Sequence, residues 1–233
     1  MANFAKQLKI GYPSTLLLKC QKDTIIKGYL LNYPKTVFFK RRIGHNGITK
    51  FPLPFEIEKI VVVSSKPFEF VAQEPIDTLK VYLPERVESF LNFAKEFSYE
   101  ASYLEENTAY ESDESNNAIL FVDKIYNERN GKKVESPTPA RISRATGRIQ
   151  LNASKFKKLT VPQRIFMLLH EYMHFELNSS SEFEVDLHAL RAYLSLGFSR
   201  IESVYALTKV LHESEFSHKR VKLLIDYIKK FEA

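Results

Sequence analysis

One stretch leaves this chain little freedom. From Val161 to Glu176, Ile165, Phe166, Leu168, Leu169, Tyr172, Met173 and Phe175 cover most of the circumference of an α-helix. A helix that is apolar on nearly every side has to be buried, so the rest of the chain must surround this one. Its start is well marked: Thr160-Val-Pro-Gln163 supplies an N-cap Thr, an early Pro and a Gln at the capping-box position. Within it lie His170, Glu171 and His174. Imidazoles and a carboxylate in such surroundings are costly unless they are paired or bind a metal.

Two histidines four apart project from one helical face, one turn apart, so both rings can reach a single ion. Glu171 lies beside them, where its carboxylate can face a water held by that ion. Zinc lowers the pKa of such a water towards ~7, and a carboxylate can take the proton as the oxygen attacks a carbonyl. Cys20 is the only cysteine. That excludes a thiolate-rich zinc site, leaving His and carboxylate donors, and it excludes an internal disulfide. A catalytic zinc needs a third protein ligand. The next helix offers Glu182-Phe-Glu-Val-Asp186. With Phe183, Ala189, Leu190, Tyr193 and Leu194 marking its inward side, Glu182 and Asp186 fall inward, and Glu184 falls outward with Arg191. We assign Glu182 as third ligand and Asp186 as the acceptor that fixes a histidine ring. A first-turn carboxylate favoured by the helix dipole is the other reading of Glu182. His45, His188, His212 and His218 read as surface or capping residues, and Arg220 as a possible partner for Asp186 or Glu182.

The 233 residues can bury a substantial core. The first ~80 residues read as β-rich, with strands at 26–31, 36–40, 57–63, 68–71 and 79–83. Tyr33-Pro34, Gly44, Gly47 and Phe51-Pro-Leu-Pro54 read as breaks between them. A helix opens at Pro84-Glu85. The acidic stretch 105–117 reads as a mobile loop, 118–125 as a buried strand, Asn130-Gly131 as a turn, and 147–152 as another strand. Helices are expected at 161–176, 182–196, 200–213 and 217–231, with Gly197 as a C-cap and capping boxes at Ser181–Glu184 and Ser199–Glu202. The expected fold is α+β: a β-rich N-terminal module over 1–83, then a domain over 84–233 whose C-terminal half is mostly helical.

Phe166-Met-Leu-Leu-His-Glu-Tyr-Met-His174 followed by Glu182-Phe-Glu-Val-Asp186 resembles the gluzincin branch of zinc metallopeptidases, with its His-Glu-x-x-His and Glu-x-x-x-Asp helices. The resemblance covers roughly residues 84–233. It implies a zincin-like domain in which His170, His174 and Glu182 hold Zn2+, Glu171 is the base, and Asp186 supports. It also implies that an edge strand, here placed at 147–152, binds an extended peptide or protein substrate. For the oxyanion, Tyr193 and Tyr205 are the candidates. Only residues 175–181 separate His174 from Glu182, a shorter link than in many gluzincins.

Charge adds a second theme. Lys6, Lys9, Lys19, Lys22, Lys27, Lys35, Lys40, Arg41, Arg42 and Lys50 stand against Asp23 alone in residues 1–52. That reads either as a solvated surface or as a site for an acidic macromolecular partner, a nucleic acid or an acidic protein surface; against a nucleic-acid-binding protein, these basic residues show no aromatic stacking pattern tied to a known motif. No apolar run approaches the ~18 residues of a membrane helix, so no membrane partner is expected, and the cysteine usage suits a cytoplasmic, reducing setting. The competing reading is a structural or assembly subunit of a larger particle, such as a virion, that retains the zincin fold.

Overall fold

The computed structural model describes residues 4–76, 82–112, 117–136, 138–198, 203–204, 208 and 215–230. The N-terminal part contains β1 (Phe4–Lys9), β2 (Ser14–Cys20), β3 (Thr24–Leu30), β4 (Tyr33–Ile43), β5 (Gly47–Leu53), β6 (Lys59–Ser64) and β7 (Phe68–Pro75). They form two antiparallel sheets, in the orders β1-β6-β3-β4 and β5-β2-β7. Alternation sets the core: Leu16, Leu18 and Cys20 of β2, Ile26 of β3, and Ile60 and Val62 of β6 are all fully buried. Phe39 of one sheet stacks on Phe51 of the other at 3.8 Å between ring centres. Gly28 makes room for this, since a Cβ there would lie 2.4 Å from the Phe39 ring.

Two supposed breakers lie inside strands. Pro52 is part of β5 and opposite Thr15, and Pro34 is part of β4. Both strands are at the edge of their sheet, where a missing N–H need not cost a ladder bond. β1 and β2 lie outside the strands expected from the sequence, with Gly11, at φ 77°, and Pro13 in the turn between them. The strand expected at 79–83 falls mostly on 79–81, outside the described residues.

The remainder is mixed α and β. It comprises α1 (Glu85–Glu100), β8 (Thr108–Glu111), β9 (Ala118–Val122), β10 (Tyr126–Arg129), β11 (Lys132–Glu135), β12 (Ala140–Ile142), β13 (Ile149–Asn152), α2 (Ala153–Phe156), α3 (Val161–Glu176), α4 (Glu182–Ser195) and α5 (Glu215–Lys230). The third sheet has the order β12-β13-β9-β8, with β13 and β9 parallel and both outer strands antiparallel. So part of the expected acidic loop is strand β8, zipped to β9 through Tyr110 opposite Ile119, with Tyr110 packed on Phe93 and Phe97 of α1. Asn130 and Gly131, both at positive φ, turn β10 into β11. β12 therefore forms the edge, and 149–152 is an interior strand paired on both sides, which corrects the edge-strand expectation.

α3 is the centre. Its boundaries fall where the caps put them, with the Thr160 N–H donating to Gln163 Oε1 at 3.1 Å. It packs against α1, α4, β12 and β4. Ring contacts include Tyr172 stacked on Phe90 at 3.9 Å and Phe166 edge-on to Tyr193. Gly197, at φ 85°, closes α4. Phe183, expected inward, is 39% exposed. The helix expected at 200–213 and the capping box at Ser199–Glu202 lie mostly outside the described residues. Among the described residues no helix is long and apolar enough to cross a membrane.

Arg164, in the first turn of α3, is fully buried. Its guanidinium donates to the Ser98 carbonyl (2.7 Å), Ser102 Oγ (2.8 Å) and the Lys157 carbonyl (2.9 Å). It lies over the Phe156 ring, and burial lowers its pKa to about 10. One side chain thus gathers the C-terminal ends of α1 and α2 at the start of α3, where partial negative charge collects. Arg164→Met removes these donors and strands two buried carbonyls. We expect a loss of about 3 kcal/mol, a fall in Tm of roughly 6–12 °C for a chain this size. Calorimetry showing an unchanged Tm would mean these bonds carry no net stability.

Candidate metal centre

His170 is buried and His174 largely so; both rings leave α3 on the side facing the start of α4, their centres 4.9 Å apart and their planes perpendicular. Each ring is fixed through Nδ1. His170 Nδ1 donates to Asp186 Oδ1 at 2.8 Å. His174 Nδ1 donates to the Ser179 carbonyl at 2.8 Å. A carbonyl only accepts, so Nδ1 of His174 carries the proton, and its Nε2 presents a lone pair. Asp186 acts on His170 in the same way.

Both Nε2 atoms meet Glu182. His170 Nε2 lies 3.5 Å from Oε2, and His174 Nε2 lies 3.5 Å from Oε1. One donor atom from each of His170, His174 and Glu182 lies within 4.8 Å of the others. Zinc fits this set: two ligands each ~2 Å from a tetrahedral ion lie about 3.4 Å apart. The donors are also of the kinds zinc takes when no thiolate is at hand.

The short link is what delivers Glu182. α3 ends at Glu176, Asn178 turns the chain with φ 46°, and Ser181 caps α4 by accepting from the Glu184 N–H. Ser179 organises the turn. Its carbonyl holds His174, its hydroxyl donates to Glu184 Oε2 at 2.6 Å, and its oxygen accepts from the Ser181 N–H. Glu184 is therefore on the outer side, as the helical wheel has it, and Asp186 is fully buried.

Arg220, on α5, was left open by spacing alone. Its Nε donates to Asp186 Oδ2 at 2.8 Å, and its Nη2 lies 2.8 Å from both Asp186 Oδ2 and Glu182 Oε2. One cation thus orients two of the three carboxylates of α4, Glu182 and Asp186. For Asp186, burial pushes the pKa up, but hydrogen bonds from His170 and Arg220 outweigh it and the net shift is down. For His170, burial pulls down, while the Asp186 hydrogen bond and the charges of Glu171, Asp186 and Glu182 carry it above the usual value. Glu171 is raised, chiefly by burial and against the pull of both histidines. The nearby Ile142 backbone N–H of β12 also pulls it down slightly. That places it between the two histidines and the sheet edge.

Other expected residues lie elsewhere. Tyr193 is no oxyanion donor: it is fully buried and stacked on Phe198. Tyr205 and His212 are outside the described residues, as is the His218 side chain. His45 is exposed in the β4–β5 turn, and His188 is half-buried on α4. Two contributions had no side-chain signature to find, because the Ser179 carbonyl and the Ile142 N–H are backbone groups. Compared with known proteins, the chain matches no family model, no curated protein and no solved structure.

Zinc titration tests the cluster. His174→Ala should abolish stoichiometric binding, and Asp186→Asn should weaken it by about 10–100-fold, the usual scale for an outer partner of a ligating histidine. Full zinc occupancy in His174→Ala would remove the assignment.

Proposed function

We propose that this chain is a zinc metallopeptidase of the gluzincin kind. The observation that carries the reading is the convergence of His170 Nε2, His174 Nε2 and the Glu182 carboxylate, with the Glu171 carboxylate beside them at a sheet edge. A zincin-like reading of residues 84–233 draws further support from the order of parts. A four-stranded sheet with an antiparallel edge strand precedes the helix that carries both histidines. The single cysteine, Cys20, is free and buried, a usage that suits a reducing intracellular compartment.

Zinc, when bound, would acidify a water and polarise a substrate carbonyl. The chain's own groups supply the rest. β12 pairs with β13 through Ser143 and Asn152, whose N–H groups donate to the Arg148 and Pro139 carbonyls. The pleat then turns the backbone groups of Ala140 and Ile142 outward. An extended peptide can add to this edge as a further strand. Glu171, beside the two histidines and β12, would take a proton from the attacking water and return it to the leaving amine. Arg220 and Asp186 hold Glu182 and His170 in place as the proton moves.

Glu171→Gln is nearly isosteric and removes no proposed ligand. It should keep the fold and the zinc while hydrolysis of a mixed panel of unfolded peptides falls by about two orders of magnitude or more. Chelation should abolish the same activity, and zinc should restore it. Zinc bound with no cleavage by the wild type would favour a structural or assembly subunit that keeps this fold. Cleavage unaffected by Glu171→Gln would place the chemistry elsewhere.

A further inference from the structure

The two outer faces of the N-terminal sheets differ in charge, and the difference points to a second site, independent of the metal centre. On the face of β5-β2-β7 the charges are balanced across strands. Lys19 stands opposite Glu69, and Lys50 pairs with Glu74 at 3.2 Å. On the outward face of β1-β6-β3-β4 the strand positions carry Lys9, Lys59, Lys27, Lys40 and Arg42 and no carboxylate. Asp23 and Glu58 touch only its rim, paired with Arg42 and Lys59.

The register sharpens this. Lys27 is directly opposite Lys40, and Lys9 is directly opposite Lys59. Like charges in direct cross-strand register destabilise a sheet; Lys59 already has Glu58 at 2.9 Å, so the repulsion that an anion would relieve is that of Lys27 and Lys40. Between the two lysine rows runs a row of Val61, Tyr29 and Val37, half-buried and cross-strand neighbours. Each lysine row is two residues from it, about 7 Å. The cations therefore run diagonally from β4 to β1 across an aromatic and aliphatic centre.

We propose that this face binds single-stranded nucleic acid, with phosphates on the lysine rows and a base against Tyr29. An acidic polypeptide would match the cations but has no use for the central row. A single strand offers both periodic anions and flat apolar rings.

The test is fluorescence anisotropy of a labelled oligo(dT) titrated with the full chain at low salt. Five phosphate contacts give a slope of log K against log salt of about −3.5 for a single strand. K9E/K27E should lose at least tenfold in affinity and flatten the slope to about −1 or shallower. Each substitution also turns a like-charge pair into an opposite one, so the Tm of this variant should not fall, which separates lost binding from lost fold. K19E/K50E, on the balanced face, should bind as the wild type does. Y29A should weaken oligo(dT) about tenfold and leave polyglutamate unaffected. No binding at low salt, or equal losses in the two double variants, would overturn the proposal. Polyglutamate bound as tightly as oligo(dT), with Y29A silent, would overturn it in favour of an acidic protein partner.

Discussion

The Arg164 guanidinium sits in the core, held by two carbonyls and a hydroxyl. Much of the architecture follows from keeping it there. α3 has no solvent face to which polar groups could turn, so each must find a partner inside the protein. Arg164 finds its partners at the ends of α1 and α2, which fixes how those helices approach. Farther along, His170 finds Asp186, and Asp186 finds Arg220 on the last helix. The charged groups on the central helix thus determine which neighbours stand beside it. Removing one of them leaves its partner stranded, a larger penalty than the bond itself is worth.

How much of this could be read from residues alone depended on the range of the interactions. α3 and α4 were legible to within a residue because their signals are local: Thr160 and Gln163, Ser181, Gly197, and apolar spacing between them. The inward placement of Asp186 came from the same periodicity. Phe183 misled, because an aromatic in the first turn of a helix can lie over the surface near the cap. β12 has three residues and β8 four, too short to show alternation, although each pairs with a strand close by in sequence. Placing the edge at 147–152 failed for that reason. Pro52 and Pro34 failed as breakers because edge position, a property of the whole sheet, decides whether a proline is tolerated. The anchoring of His174 by the Ser179 carbonyl leaves no trace in residue types at all.

The N-terminal sheets also brace the helices. Thr36 Oγ1 donates to the Tyr99 carbonyl at the end of α1, and Tyr103 accepts from the Lys35 N–H. Tyr33 stacks on Tyr99, and Phe55 meets Phe198 edge-on just beyond α4. These contacts meet the C-terminal end of α1 and the segment just past α4. Displacement of either helix would alter the approach of Asp186 to His170, so the β-rich part bears on the geometry of a centre to which it contributes no ligand.

His170, His174 and Glu182 lie within one helical hairpin, only twelve positions from first to last. Closing so short a loop costs little chain entropy, and its length hardly matters to that cost. Helix–turn–helix units form early compared with sheets whose strands are far apart in sequence. The donor set is therefore local, whereas Arg220 and the β12 edge arrive only with long-range topology. During folding, the hairpin can present its three donors to an ion before the surrounding core closes. If the proposed zinc bound at that stage, it would shorten the search for the native arrangement and act as a nucleus for folding.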